Sequence, residues 1–279
     1  MELLLEIAQF IFYSGLIVLI SKYILVRTLR SLAENLNLKP KTVGDIAGVA
    51  TSVPELLTIG AASIKGLLGA SIYNVLSSNV INLIQYSGAI ALNKNQNAIK
   101  NKAIKIDIFL VIITIIIPIF FSILKSEFQL AMVPVFIILY WGFKRINNNV
   151  HKLYLPTDEI VEKSKTKVNS NKMKLLRDIG VLIITGVLLF VIGDLLGKTL
   201  EVLCGRFNVP ELIVGIVLGF ITSIPELITF FEAQRHHKKS ENEMSGVVEA
   251  TNNLLMSNMM NLFVIQSIGI LLFQLFNNG

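Results

Sequence analysis

Residues 48–58 read GVATSVPELLT and residues 219–229 read GFITSIPELIT, identical at seven of eleven positions. Each run buries one carboxylate, Glu55 or Glu226, inside a long apolar stretch. A charge at mid-bilayer depth costs several kcal/mol unless it is paired or bound to a cation, so both glutamates are functional candidates. On a helix, Thr51, Ser52 and Glu55 share one face, as do Thr222, Ser223 and Glu226. A second pair of segments follows: NVLSSNVINL at 74–83 and NLLMSNMMNL at 253–262, identical at six of ten positions. There Asn74, Ser78 and Asn82 recur every four residues, as do Asn253, Ser257 and Asn261, giving a polar stripe on each helix. Pro54 and Pro225 lack the N–H that would bond the carbonyls of Ala50 and Ile221, which predicts a kink and freed main-chain oxygen beside each glutamate.

Every group displayed carries oxygen, and nitrogen and sulfur ligands are missing from the set. Hard cations take such ligands, calcium six to eight of them, whereas zinc or copper would call for His or Cys. Two glutamates supply a charge of −2, which one Ca²⁺ neutralises. Without it the cavity must take up smaller cations or protons, and that requirement favours exchange over one-way passage.

These motifs need a membrane frame, and the composition supplies it. The 279 residues are 53% hydrophobic and 16% charged, against about 25% charged in an ordinary soluble domain. Apolar blocks near 4–26, 43–63, 66–92, 105–124, 128–145, 177–201, 209–232 and 245–273 predict about eight transmembrane helices in an all-α, polytopic membrane protein. The alternation that marks β-barrel strands is missing. Residues 1 to 21 hold no Lys or Arg and run directly into the first block, so a first span is expected there and not a cleaved signal.

With the loops numbered alternately, 21 of the 25 basic residues fall on one side, leaving Lys65, Lys125, Lys198 and Arg206 on the other. Positive loops face the cytoplasm, so both termini are predicted outside, in an inner or plasma membrane. The net charge of +6 then reports insertion, not a nucleic-acid partner. The hydrophilic stretch 147–176 reads as a cytoplasmic linker between a first half, 1–146, of five spans and a second half, 177–279, of three. The first repeat occupies 43–92 and the second 210–270, and five spans separate them. That odd offset inverts the second copy, the arrangement of secondary transporters with midplane sites.

At these residues the chain resembles the cation/calcium exchanger superfamily, which includes the sodium/calcium exchangers. TSVPE at 51–55 and TSIPE at 222–226 match its first repeat motif. Asn74, Ser78, Asn79, Asn82, Asn253, Ser257, Asn258 and Asn261 match its second, but Tyr73, Ser77, Asn252 and Met256 stand where the family has glycine. The resemblance implies that Glu55 and Glu226 are the central calcium ligands, helped by backbone near Thr51 and Thr222. It also implies that Thr51, Ser52, Ser78, Thr222, Ser223 and Ser257 line flanking sodium sites, and that Asn82 and Asn261 close the midplane. The first and sixth spans resemble gating helices. The lost glycines predict wider helix spacing at the third and eighth spans. The family's usual ten spans leave the second half shortened, so a second copy or a partner chain is expected to cover its flank.

The expected activity is therefore an antiporter exchanging Ca²⁺ for Na⁺ by alternating access. Proton coupling through the two glutamates, or a non-transporting cation-binding protein, are the alternatives. No HExxH or GxSxG motif is present, no cofactor beyond the transported ions is expected, and an enzyme is not. Cys204 stands alone. Asp45 reads as an interfacial cap and Glu249 as a helix-start carboxylate, and the lone Gly193-Asp194 pair does not make an intramembrane aspartyl protease. His236 and His237 read as a solvated cap, and all three histidines as loop residues.

Overall fold

The computed structural model describes residues 2–36, 38–123, 130–155, 172–238 and 243–277. Among these residues the chain is helical without strands. The first span runs through α1 (Glu2–Ile20), a π-helical stretch at Ser21–Val26 and α2 (Arg27–Asn35). The second is divided into α3 (Pro40–Thr51) and α4 (Val53–Ile64), and three residues then lead into α5 (Leu68–Leu92). Helices α6 (Lys102–Ile123) and α7 (Met132–Tyr154) complete the first half. In the second half α8 (Lys172–Glu201) continues into a π-helical stretch at Val202–Arg206. There follow α9 (Glu211–Thr222) and α10 (Ile224–Lys238), then α11 (Glu243–Met259), a π-helical stretch at Met260–Ile265 and α12 (Gln266–Asn277).

Seven helices among the described residues are long and apolar enough to cross a membrane. The predicted fifth span, 128–145, falls in α7 from Met132 onward; the 23 residues of that helix suffice in length but end in the polar run RINNNVHKLY. That run stays helical to Tyr154 because its inner face is satisfied by the neighbouring helices. Asn147 donates to Asp107 Oδ1 at 2.9 Å and to Asn252 Oδ1 at 3.1 Å, and His151 Nε2 lies 2.6 Å from Asp107 Oδ2. His151 is thus a buried helical residue and not a loop residue, a correction that needs the fold, since its partner Asp107 comes from α6. The stretch expected as a linker begins within α7 and ends within α8; its residues 156–171 lie outside the described residues.

The divided helices α3–α4 and α9–α10 form the centre with α5 and α11. Pro54 and Pro225 sit in the first turns of α4 and α10, and each missing N–H interrupts the ladder. Ser52 takes φ −80°, ψ 0°, and Ser223 φ −79°, ψ −2°. One apolar cluster, including Ile17, Leu189, Leu196, Leu200 and Leu218, packs α1 and α8 against one side of the centre. A second, with Tyr86, Phe136, Phe143, Phe230 and Phe263, packs α6 and α7 on the other. There the Phe143 and Phe263 rings meet edge to face at 5.2 Å.

The central helices approach to backbone contact, which is what holds helices together where lipid removes the hydrophobic drive. A Cβ placed on Gly48 would lie 2.7 Å from the Asn253 carbonyl and 2.8 Å from Met256 Cβ. On Gly44 it would meet the Glu249 carbonyl and Asn252 Cβ. The inverted copy repeats this: Gly215 faces Tyr73 Cβ at 2.6 Å, and Gly219 faces Ser77 Oγ and the Asn74 carbonyl. Tyr73, Ser77, Asn252 and Met256 are the positions expected to hold α5 and α11 away. They do not, because each meets a glycine of the facing helix, in GDIAG at 44–48 or GIVLG at 215–219.

Candidate cation site

Glu55 opens α4 and Glu226 opens α10, one turn after each break, and both are fully buried. The two carboxylates are close enough to act on each other electrostatically. Neither Glu55 oxygen has a hydrogen-bond partner. Glu226 Oε1 accepts from Ser257 Oγ at 2.9 Å, while Oε2 has none. Thr222 lies beside Glu55 with its hydroxyl donating to the Leu218 carbonyl at 3.0 Å, and Thr51 lies beside Glu226. Glu226 is thus served by its own copy, and each glutamate has a threonine of the other copy beside it.

The remaining contacts come in repeat-related pairs. Asn82 Nδ2 reaches Asn258 Oδ1 at 3.1 Å and Ser257 Oγ at 3.4 Å; Asn261 Nδ2 reaches Asn79 Oδ1 and Ser78 Oγ, both at 3.2 Å. Asn79 donates to the Asn258 carbonyl at 3.3 Å, and Asn258 returns the bond to the Asn79 carbonyl at 3.1 Å. Ser52 Oγ contacts Ser257 Oγ at 3.1 Å, and Ser223 Oγ approaches the Ser78 carbonyl at 3.5 Å. Asn74 donates to Thr58 Oγ1 at 2.8 Å, and Asn253 likewise donates to Thr229 Oγ1.

All ten residues singled out in the sequence, Thr51, Ser52, Glu55, Ser78, Asn82, Thr222, Ser223, Glu226, Ser257 and Asn261, are therefore buried at one junction of α3–α4, α5, α9–α10 and α11 with its π-helical stretch. Asn79 and Asn258, which match the second motif, belong to the same network, as do Thr58 and Thr229, which were passed over. The two threonines end the repeated eleven-residue motif, so its identity alone could have flagged them. The pairing is incomplete, since Thr51 donates to Asn253 Oδ1 at 3.4 Å while the counterpart Asn74 Oδ1 has no partner. Ser257 serves Glu226, but Ser78 donates to the Val75 carbonyl at 3.2 Å and leaves Glu55 bare. Unpartnered Oδ1 atoms of Asn74, Asn82 and Asn261 add acceptors nearby. A bare buried carboxylate amid oxygen acceptors suits a hard cation, whose charge offsets the desolvation cost.

The other acidic candidates have separate roles. Asp45 pairs with Lys144 at 2.7 Å and Lys41 at 3.2 Å, and Asp194 pairs on the surface with Lys198 at 2.8 Å. Glu249 is buried in α11 and lies 3.0 Å from His237 Nε2, so neither reads as a simple solvated end. A cavity between the first span and the centre is lined by Val26, Leu29, Val43, Ile46, Ala47, Ala50, Thr229 and Glu249.

A helical bundle in which two inverted, broken helices bring buried carboxylates together is a secondary transporter of cations. The sequence matches the family described as sodium/calcium exchanger protein over residues 7–145 and 178–278, and the chain belongs to that family. It is a calcium exchanger of the antiporter type. It is 25% identical to a protein named as antiporter CaxA of Alkalimonas amylolytica over 249 residues, 86% of this chain and 72% of that protein. Its fold matches the sodium-calcium exchanger NCX_Mj, soaked with 10 mM Na⁺ and zero Ca²⁺, with a TM-score of 0.54 at 20% identity, over 97% of this chain and 83% of that one. It also matches the H⁺/Ca²⁺ exchanger CAX, with a TM-score of 0.67 at 16% identity, over 97% and 68%.

Proposed function

We propose that the chain exchanges Ca²⁺ for Na⁺ across an inner or plasma membrane by alternating access, with both termini outside and the calcium held between Glu55 and Glu226. The observation that carries this reading is the Glu55 carboxylate, fully buried with both oxygens unpartnered and a second carboxylate beside it. Two adjacent buried carboxylates match the charge of one divalent ion. The hydroxyls of Thr51, Ser52, Ser78, Thr222, Ser223 and Ser257 supply neutral oxygens for monovalent ions when calcium has left, and the amide oxygens of Asn82 and Asn261 complete the midplane. The cavity that reaches Thr229 and Glu249 supports access from the end of the bundle predicted to be cytoplasmic. Pairing of α1 with α8 supports their sliding as a unit past the centre.

Proton coupling is the second reading, favoured by the same two carboxylates, which protons could neutralise in place of sodium. Reconstituted vesicles separate the two. Calcium uptake driven by an outward sodium gradient at equal pH, and lost in Glu55→Gln, supports sodium coupling. Uptake driven by a pH gradient alone supports proton coupling.

A further inference from the structure

The polar stripe on the eighth span does not end at Asn261. An α-helix would turn the next residues of that spacing away, but Met260–Ile265 is π-helical, and a π turn repeats after five residues. Gln266, five beyond Asn261, is thereby kept on the face of Asn253, Ser257 and Asn261. It is fully buried, as are Ser71 of α5 and Ser63 of α4, whose hydroxyls both face Gly269. Ser71 Oγ donates to Gln266 Oε1 at 3.4 Å, and Gln266 Nε2 and Ser63 Oγ have no partner. Gly269, one turn further along α12, packs its backbone against Ser63, Ser71 and Ile59. A Cβ built there would lie 3.0 Å from Ser63 Oγ and 3.3 Å from Ser71 Oγ.

This cluster is eight residues along α4 from Glu55, about 12 Å at the α-helical rise. A line of polar groups connects the two. Thr58 Oγ1 donates to the Glu55 carbonyl and accepts from Asn74, whose Oδ1 is unpartnered one turn before Ser71 is reached. The opposite end is different: Gln234, the repeat counterpart of Ser63, accepts from Asn95 at 3.0 Å and donates to the Phe230 carbonyl at 3.2 Å. The unpartnered Ser63 and Gln266 atoms thus contrast with a satisfied counterpart at the opposite end.

The geometry points to a second, occluded cation site formed by Ser63, Ser71 and Gln266, a waypoint for a monovalent ion of the sodium type between the midplane carboxylates and the Ser63 end of the bundle. Turning the Gln266 amide over pairs its nitrogen with Ser71 Oγ and leaves three neutral oxygens in the cluster, two hydroxyl and one amide. All three ligands are neutral. The cost of burying an ion rises with the square of its charge, so a divalent ion would be penalised about fourfold more than a monovalent one.

The test is binding of radiolabelled sodium to the purified full chain, with choline holding ionic strength constant. Protein carrying Glu55→Gln and Glu226→Gln, which lacks both midplane carboxylates, should retain saturable sodium binding, so the result is independent of calcium flux. Adding Gly269→Ala, which crowds both hydroxyls with a methyl group, or Gln266→Leu should weaken that residual binding at least about tenfold. Gln266→Glu, which keeps the shape and adds a charge, should tighten it about tenfold. Loss of all sodium binding in the Glu55→Gln, Glu226→Gln protein overturns the proposal by placing every sodium at the midplane. Residual binding that Gly269→Ala and Gln266→Glu both leave unchanged overturns it as well, assigning the cluster to water.

Discussion

At the scale of single residues the two repeats are alike in composition and unlike in satisfaction. Glu226 accepts the Ser257 hydroxyl, whereas both Glu55 oxygens are free. The Ser257 hydroxyl orients one ligand, and removing such an orienting partner costs about 10- to 100-fold in metal affinity. Ser257→Ala should therefore weaken calcium binding about tenfold in calorimetry. Ser78→Ala, whose hydroxyl is spent on the Val75 carbonyl, should cost less. Equal losses would mean that the bound state restores the symmetry this structure lacks. Glu55→Gln and Glu226→Gln should each lower calcium affinity at least about tenfold by removing half of the compensating charge. Retention of full affinity in either would remove that carboxylate from the site.

At the scale of elements, close packing depends on the four glycines of GDIAG and GIVLG. Gly48→Ala and Gly219→Ala each force a methyl group into backbone of the facing helix. Overpacking of this kind costs about 1–3 kcal/mol, which should appear as a lowered thermal unfolding midpoint. Gly15→Ala, with open space around it, is the matched control and should leave the midpoint unchanged. The helices and the two broken spans were legible in the sequence, since long apolar runs and a proline one residue before each glutamate act locally. The facing glycines were visible as letters but not as partners, because their significance lies in which helices touch. Likewise the π-helical stretch after Met259 and the burial of His151 against Asp107 depend on contacts from α6, α7 and α11. Site membership was legible through repetition: residues kept in both copies converge, and Thr58 and Thr229 were within reach of the same argument.

At the scale of the whole molecule, an inverted pair of half-sites meets at a buried junction that has a continuation toward each end. One continuation is the cavity past Ala50 and Thr229 to Glu249; the other is the line through Thr58 and Asn74 to Gln266. Alternating access asks for two such paths and a centre too closely packed to leak, and the glycine contacts supply the packing. The central claim is that the carboxylate pair carries calcium across against a second cation. Calcium flux in vesicles reconstituted with the purified chain tests it most directly. The account predicts calcium uptake that follows an imposed outward sodium gradient, collapses when that gradient is dissipated, and is absent in Glu55→Gln. Calcium that binds the wild-type protein yet crosses under neither a sodium nor a pH gradient would contradict it.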